Sequence, residues 1–183
     1  MTLITPTMAA KHIACGQLIG YPTEAVYGIG CDPQNDAALK AVLALKSRDE
    51  HKGFILIASQ QDQLSPYIDA LSPAQQQQVD GSWPGPVTFV CKAKPGLSAL
   101  LTGARDTIAV RVSSHPVVVE LCTACGHALL STSANLSGQP AMTQAADVLT
   151  EFGHVLSGVV EGPLGDLQSA TPIFSLITGE QLR

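Results

Sequence analysis

The sequence predicts a single-domain α/β protein, and three observations carry that reading. The chain has 183 residues, enough to bury one substantial core. Hydrophobic residues make up 45% of it against 14% charged and 4% aromatic, a balance expected where strands buried on both faces alternate with helices. Apolar runs of strand length alternate with helix-period segments throughout, while Gly and Pro are spread among turns and gather in no linker. No repeat, heptad or charge block interrupts the pattern, so residues 1–183 read as one domain.

The elements follow in order. Thr5 to Cys15 reads as a capped helix ended by Gly16, and Leu18 to Tyr21 as a buried strand running into Pro22. Asp36 is placed to cap a second helix, Ala37 to Lys46, whose Leu39, Val42, Leu43 and Leu45 lie on or near one face, and Phe54 to Ala58 form the next strand. Ser72-Pro73 opens a polar helix through Gln75 to Gln78 that stops at Gly81, before a rigid corner at Trp83-Pro84-Gly85-Pro86. Strands are expected at Val87 to Lys92, Thr107 to Val112 and Ala128 to Ser131, with a helix at Val117 to Cys125. A helix near Ala145 to Phe152 and strands near Val155 to Val160 and Ile173 to Ile177 complete the chain.

Charge narrows the function. A formal net charge of −5 argues against a protein that coats nucleic acid through a general excess of cations. Yet three of the ten Lys and Arg residues fall between Lys46 and Lys52. The N-terminus lacks a basic segment followed by an apolar one, and no apolar run approaches the roughly 20 residues that span a bilayer, so the expectation is a cytoplasmic protein without a membrane partner. The odd count of five cysteines fits reduced thiols. Cys122 and Cys125 have zinc-like spacing with no second pair of ligands, so no metal site is expected from cysteines or histidines. His115 before Pro116 reads as a turn residue.

Four segments could carry chemistry. Tyr21-Pro22-Thr23-Glu24-Ala25-Val26-Tyr27-Gly28-Ile29-Gly30 brings a strand into a proline-fixed turn and then two glycines that permit close backbone approach; it could equally start a helix with Thr23 as its cap. Lys46, Arg48 and Lys52 repel one another unless an anion or solvent screens them, and a triphosphate would supply that anion; a helix end followed by a solvated loop is the other reading. Thr107, Ala109 and Arg111 share a strand face, so Arg111 either binds a carboxylate or pairs internally with Asp or Glu. Ser131 to Gly138 is a strand that dissolves into hydrogen-bonding residues able to reach phosphate, ribose or an amino acid, or to cap a helix.

Together, Tyr-Pro-Thr-Glu-x-x-Tyr-Gly-x-Gly from Tyr21, Lys46-x-Arg48 with Lys52, Trp83-Pro84-Gly85-Pro86-Val87-Thr88, Ile108-Ala109-Val110-Arg111 with His115-Pro116, and Ser133-Ala134-Asn135-x-Ser137-Gly138 resemble the YrdC-like family, in the family's order and over nearly the whole chain. The resemblance implies an open, twisted mixed sheet flanked by helices, with a concave, positively charged cavity. It implies an enzyme that joins L-threonine, bicarbonate and ATP, with Mg²⁺ on the nucleotide, into threonylcarbamoyl-AMP and pyrophosphate. The product would pass to a transferase complex that modifies adenosine next to the anticodon of certain tRNAs, with weak tRNA contact at most. It also assigns Thr23, Arg111, Ser131 and Ser169 to threonine, and Lys46, Arg48, Lys52, Thr107, Ser133, Asn135 and Arg183 to ATP, with substrate positioning and charge stabilisation by the basic cluster in place of a side-chain nucleophile. This chain has Asp49 where the family often has proline, and Ile57 where longer members carry histidine. An RNA-binding or ribosome-assembly module using the same cavity without chemistry, and another carbamoyl-attaching enzyme on the same scaffold, are the rival readings.

Overall fold

The computed structural model describes residues 2–167 and 169–183. In chain order the elements are β1 (Leu3–Ile4), α1 (Pro6–Ala14), β2 (Ile19–Pro22), β3 (Tyr27–Cys31), α2 (Asp36–Lys46), β4 (Ile55–Ala58), α3 (Pro73–Asp80), β5 (Thr88–Lys92), α4 (Ala99–Thr102), β6 (Thr107–Val112), α5 (Pro116–Cys125), β7 (Leu129–Ser133), α6 (Ala145–Phe152), β8 (Val159–Val160) and β9 (Ile173–Ser175). The strands form one nine-stranded sheet in the order β1-β8-β2-β3-β7-β4-β6-β5-β9. It is mixed: β4 runs parallel to β6, while β3 and β4 both pair antiparallel with β7. No helix among the described residues is long and apolar enough to cross a membrane.

Capping follows the sequence closely. The Thr5 hydroxyl accepts from Met8 N, and Ser72 forms a capping box with Gln75; each such cap contributes about 1 kcal/mol. At α2 the cap is Asn35, whose side chain accepts from Ala38 N, so Asp36 falls in the first turn, where its charge still favours the helix dipole.

Two further expectations are corrected, and two elements are added. The segment after Pro22 is the second arm of a hairpin: β3 pairs antiparallel with β2, Tyr21 opposite Gly28 and Ile19 opposite Gly30. Its two glycines hide the strand, because glycine has no strand-forming side chain to reveal it. The strand expected over Val155 to Val160 is only Val159–Val160, since Val155 and Leu156 still donate to Phe152 O at the end of α6. Leu3–Ile4 adds an edge strand beside β8, and the loop after β5 contains the short α4.

The sheet has a core on each face. On one, Leu39 and Val42 of α2, Val79 of α3 and Phe152 of α6 pack on Ile29, Leu56, Val110 and Leu130; each fully buried aliphatic or Phe side chain contributes roughly 1.5–3 kcal/mol. On the other, Ala9 and Ile13 of α1 and Val118, Leu121 and Cys122 of α5 cover Ile19, Tyr21, Ile57 and Leu129. Helices cover only part of this second face, and the remainder is the cavity.

Candidate functional site

The register of the central strands builds the cavity floor. Gly28 lies opposite Ser133, and Gly30 opposite Ser131, which is itself opposite Ile55. Opposed residues share a sheet face. The floor is therefore small and polar, where the helix-covered rows of the same strands hold Leu129 and Ile57. Above it lies a cavity of about 440 Å³, walled by the turn at Thr23–Val26, by Arg48 and Phe54, and by residues 169–171 with Arg183. That volume falls within the range of small-molecule sites.

Seven of the sequence-assigned residues line it: Thr23, Arg48, Arg111, Ser131, Ser133, Ser169 and Arg183. Thr23 closes its turn, its hydroxyl and backbone N–H both donating to Val26 O. Ser131 is buried on the cavity floor beside the Tyr21 hydroxyl. Of the alternatives weighed for Arg111 the internal ion pair is present: its Nη2 lies 3.1 Å from Glu24 Oε2, its Nη1 donates to Thr171 Oγ1 at 2.7 Å, and the residue also lines the cavity.

Among the described residues the other two guanidiniums hydrogen-bond only to backbone carbonyls, with Asp49 the carboxylate near Arg48. Arg48 donates through Nε and Nη2 to Gly53 O and stands 5.3 Å from the Phe54 ring centroid. Arg183 donates through Nε and Nη2 to Thr171 O. Burial draws both below the ordinary guanidinium pKa, for Arg183 with help from Arg111.

The remaining ATP-assigned residues stand behind the lining. Lys46 is buried, and its Nζ donates to Ser133 O, Asn135 O and Asn135 Oδ1 at 2.5–2.7 Å. Asn135 Oδ1 also accepts from Ser133 Oγ, and its Nδ2 donates to Gln139 O. Lys46 and Asn135 thus fix the turn that presents Ser133. Burial, and secondarily Arg48, lowers the Lys46 pKa to about 8. Thr107 sits half-buried at the start of β6, and Lys52 is exposed on a 3-10 turn; neither reaches the lining.

Ser47, at φ 46, ends α2 in a left-handed cap and turns Arg48 out of the helix. Asp49 then adopts φ −60, the value a proline ring would impose, and caps the 3-10 turn by accepting from His51 N. Aspartate therefore reproduces the backbone that proline would fix. Ile57 is fully buried in the apolar cluster under α5 and lies outside the cavity.

Sequence reasoning left out Glu24 and Thr171, the two partners of Arg111. Glu24 stands beside Thr23 in a motif already singled out, so its signal was present; an isolated Thr171 carries none.

The Sua5/YciO/YrdC family model, described as "Telomere recombination", matches residues 11–183. The chain belongs to the Sua5/YciO/YrdC family. Curated relatives named threonylcarbamoyl-AMP synthase are 49% identical in Klebsiella pneumoniae, over 97% of this chain and 96% of that protein, and 47% identical in Serratia proteamaculans, over 99% and 95%. Among solved structures of the family fold, E. coli YciO superposes with a TM-score of 0.84 at 22% identity, covering 100% of this chain and 96% of its own. P. abyssi Sua5 complexed with L-threonine gives 0.91 at 24% identity over 99% of this chain, which spans 56% of that longer protein. These two likenesses establish the single-domain fold: an open mixed sheet flanked by helices.

Proposed function

We propose that this family member is a threonylcarbamoyl-AMP synthase, a nucleotidyl-transferring enzyme that condenses L-threonine, bicarbonate and ATP and releases pyrophosphate. One observation carries the reading: a single cavity gathers the hydroxyls of Thr23, Ser131 and Ser133 with three guanidiniums, Arg48, Arg111 and Arg183, as an amino acid and a polyphosphate together require. The names of relatives nearly half identical over the whole chain support it.

The chemistry needs proximity and charge control more than a nucleophile. Threonine's amine, with an ordinary pKa near ~8, loses a proton and bonds the carbon of bicarbonate, whose hydroxyl leaves as water, and the resulting carbamate oxygen attacks the α-phosphate and displaces pyrophosphate. Arg111 orients the threonine carboxylate while Thr23, Ser131 and Ser169 read its side chain. Arg48 and Arg183 oppose the charge that builds on the phosphoryl oxygens as pyrophosphate leaves. Lys46 and Asn135 act one step back, through Ser133. Lys52 and Thr107 belong to the nucleotide's outer reach.

The cavity lining contains hydroxyls and no carboxylate, and Glu24 is committed to Arg111 and Ser113. A Mg²⁺ accompanying ATP would therefore be held by phosphate oxygens and water, with hydroxyls such as Ser133 as the protein's contribution, and would supply charge neutralisation. The product would serve a tRNA threonylcarbamoyl transferase complex.

Pyrophosphate release, measured with ATP, bicarbonate and each amino acid in turn, tests the assignment. Threonine should support it, valine should not, and serine should leak, since one methyl contact discriminates by only about 1–3 kcal/mol. Arg48→Ala should lower kcat/KM by about 10²-fold. Release that ignores the amino acid would refute the reading.

A further inference from the structure

Of the three guanidiniums on the cavity, only Arg111 forms an ion pair among the described residues, and its partner is held through its other carboxylate oxygen and its backbone. The Glu24 and Arg111 side chains are 8% and 7% exposed. Glu24 Oε1 accepts from Ser113 Oγ at 2.6 Å, and the same oxygen of Ser113 accepts from His115 N at 3.0 Å. On the backbone, Glu24 O accepts from Leu167 N, and Thr23 O from Gly165 N. A Cβ on Gly165 would lie 2.8 Å from Glu24 O and 2.9 Å from Glu24 Cα, so this return of the chain is clasped against Glu24 and only glycine fits. His115 Nε2 meets Pro163 O at 3.1 Å, fixing the same return further along. Glu24 itself does not line the cavity.

This arrangement sets Arg111 apart from the other two cations by charge. Arg111 and Arg183 are linked through one residue, donating to Thr171 Oγ1 and Thr171 O respectively, so their like charges lie close together. Glu24 cancels the charge of Arg111 at contact distance, whereas Arg48, with Asp49 as its nearest carboxylate, and Arg183 form no ion pair among the described residues. Resting on the threonine and ATP reading above, we propose that Glu24 is a positioning and specificity-determining residue. It fixes Arg111 and, by cancelling its charge, reserves that guanidinium for a zwitterionic amino acid and leaves the polyanion to Arg48 and Arg183. Arg111 donates one hydrogen bond, from Nη1 to Thr171, and meets Glu24 as an ion pair, so N–H donors remain for a carboxylate. Without the carboxylate of Glu24, three guanidiniums would face the cavity with none ion-paired, and a polyphosphate would be drawn to Arg111 as well.

The test is calorimetric binding of L-threonine and inorganic pyrophosphate, singly and in competition, to the full chain and to Glu24→Gln at fixed ionic strength. The unmodified protein should bind threonine without competition from pyrophosphate. Glu24→Gln should bind threonine about tenfold or more weakly, as loss of a charge-assisted bond implies, and pyrophosphate should now displace it. Equal threonine affinity in the two proteins, or a uniform weakening of both ligands without competition, overturns the proposal. Should Glu24→Gln not fold, Ser113→Ala carries the test, because it frees the carboxylate without changing charge: threonine affinity should fall and pyrophosphate should remain non-competitive, and unchanged affinity overturns the positioning role. Failure of the unmodified protein to bind threonine while binding ATP would sink the functional reading itself, and this inference with it.

Discussion

On the sheet face beneath α1 and α5, Leu129 of β7 and Ile57 of β4 are fully buried, whereas two residues along the same strands Ser131 and Ile55 line the cavity. Backbone, register and twist are shared between these halves. What differs is the cover, two helices over one half and loops over the other, together with the side chains chosen to match. Arg111 joins the two: it pairs in register with Ile57, in the covered row, yet its guanidinium lines the cavity. A charge rooted in a core needs its partner in the core as well, and Glu24 meets that need.

The strongest way to break the comparison is to strand that partner. Arg111→Ala leaves the Glu24 carboxylate buried and unpaired, and urea unfolding should show a loss of about 3–5 kcal/mol. Replacing both, as Arg111→Met with Glu24→Leu, would extend the apolar half into the cavity. That double variant should recover most of the lost stability while threonine-dependent pyrophosphate release disappears. A stable Arg111→Ala would mean that water reaches Glu24 and that the two halves are not separated as described.

The sequence exposed the halves unequally. The helix-covered half was legible because its signals are periodic: Leu39 and Val42 at helical spacing, Thr5 and Ser72 as caps, and apolar strand runs at residues 54–58 and 107–112. The cavity half was legible only as motifs, since small and polar residues have no periodic signature. Thus β3, with glycines at 28 and 30, looked like a turn or a helix start. Lys46 looked like the exposed end of a helix, because sequence cannot show that the turn at Ser133–Asn135, far along the chain, folds back to offer three acceptors. Arg111's choice between ligand and ion pair was likewise undecidable locally, for its partner lies on another strand's turn.

The two glycines of β3 sharpen the comparison at smaller cost. A Cβ at Gly30 would lie 2.7 Å from Tyr21 Cε1 and 2.8 Å from Leu130 O, so Gly30→Ala should destabilise by about 1–3 kcal/mol. For a domain of this size each kcal/mol lowers the melting temperature by about 2–4 °C, which calorimetry resolves. At Gly28 the nearest atoms, Ser131 Oγ, Thr132 O and Thr23 Cγ2, are all at 3.5 Å, an ordinary contact. Gly28→Ala should melt normally and instead raise the threonine KM, because its methyl occupies the floor. Equal melting losses in the two variants would show that Gly28 is also structural.

The smallest effect concerns Lys46, and its sign separates local from global consequences. Three acceptors match the three N–H donors of an ammonium, while a neutral amine has only two. With a folded pKa of about 8 against an ordinary 10.5, raising the pH through 8 removes one donor from the turn that presents Ser133. ATP binding should therefore weaken severalfold above pH 8, about 1 kcal/mol for the loss of one hydrogen bond. Global stability should move the other way. Between the folded and ordinary pKa values the unfolded chain binds more protons, so this group's contribution to stability rises with pH and does not fall. Lys46→Arg, which stays charged across that range, should abolish the pH dependence of ATP affinity even where its bulk lowers the affinity itself. Melting curves and ATP titrations at pH 7 and 9 check both directions, and a parallel loss of stability and affinity would place the titrating group elsewhere.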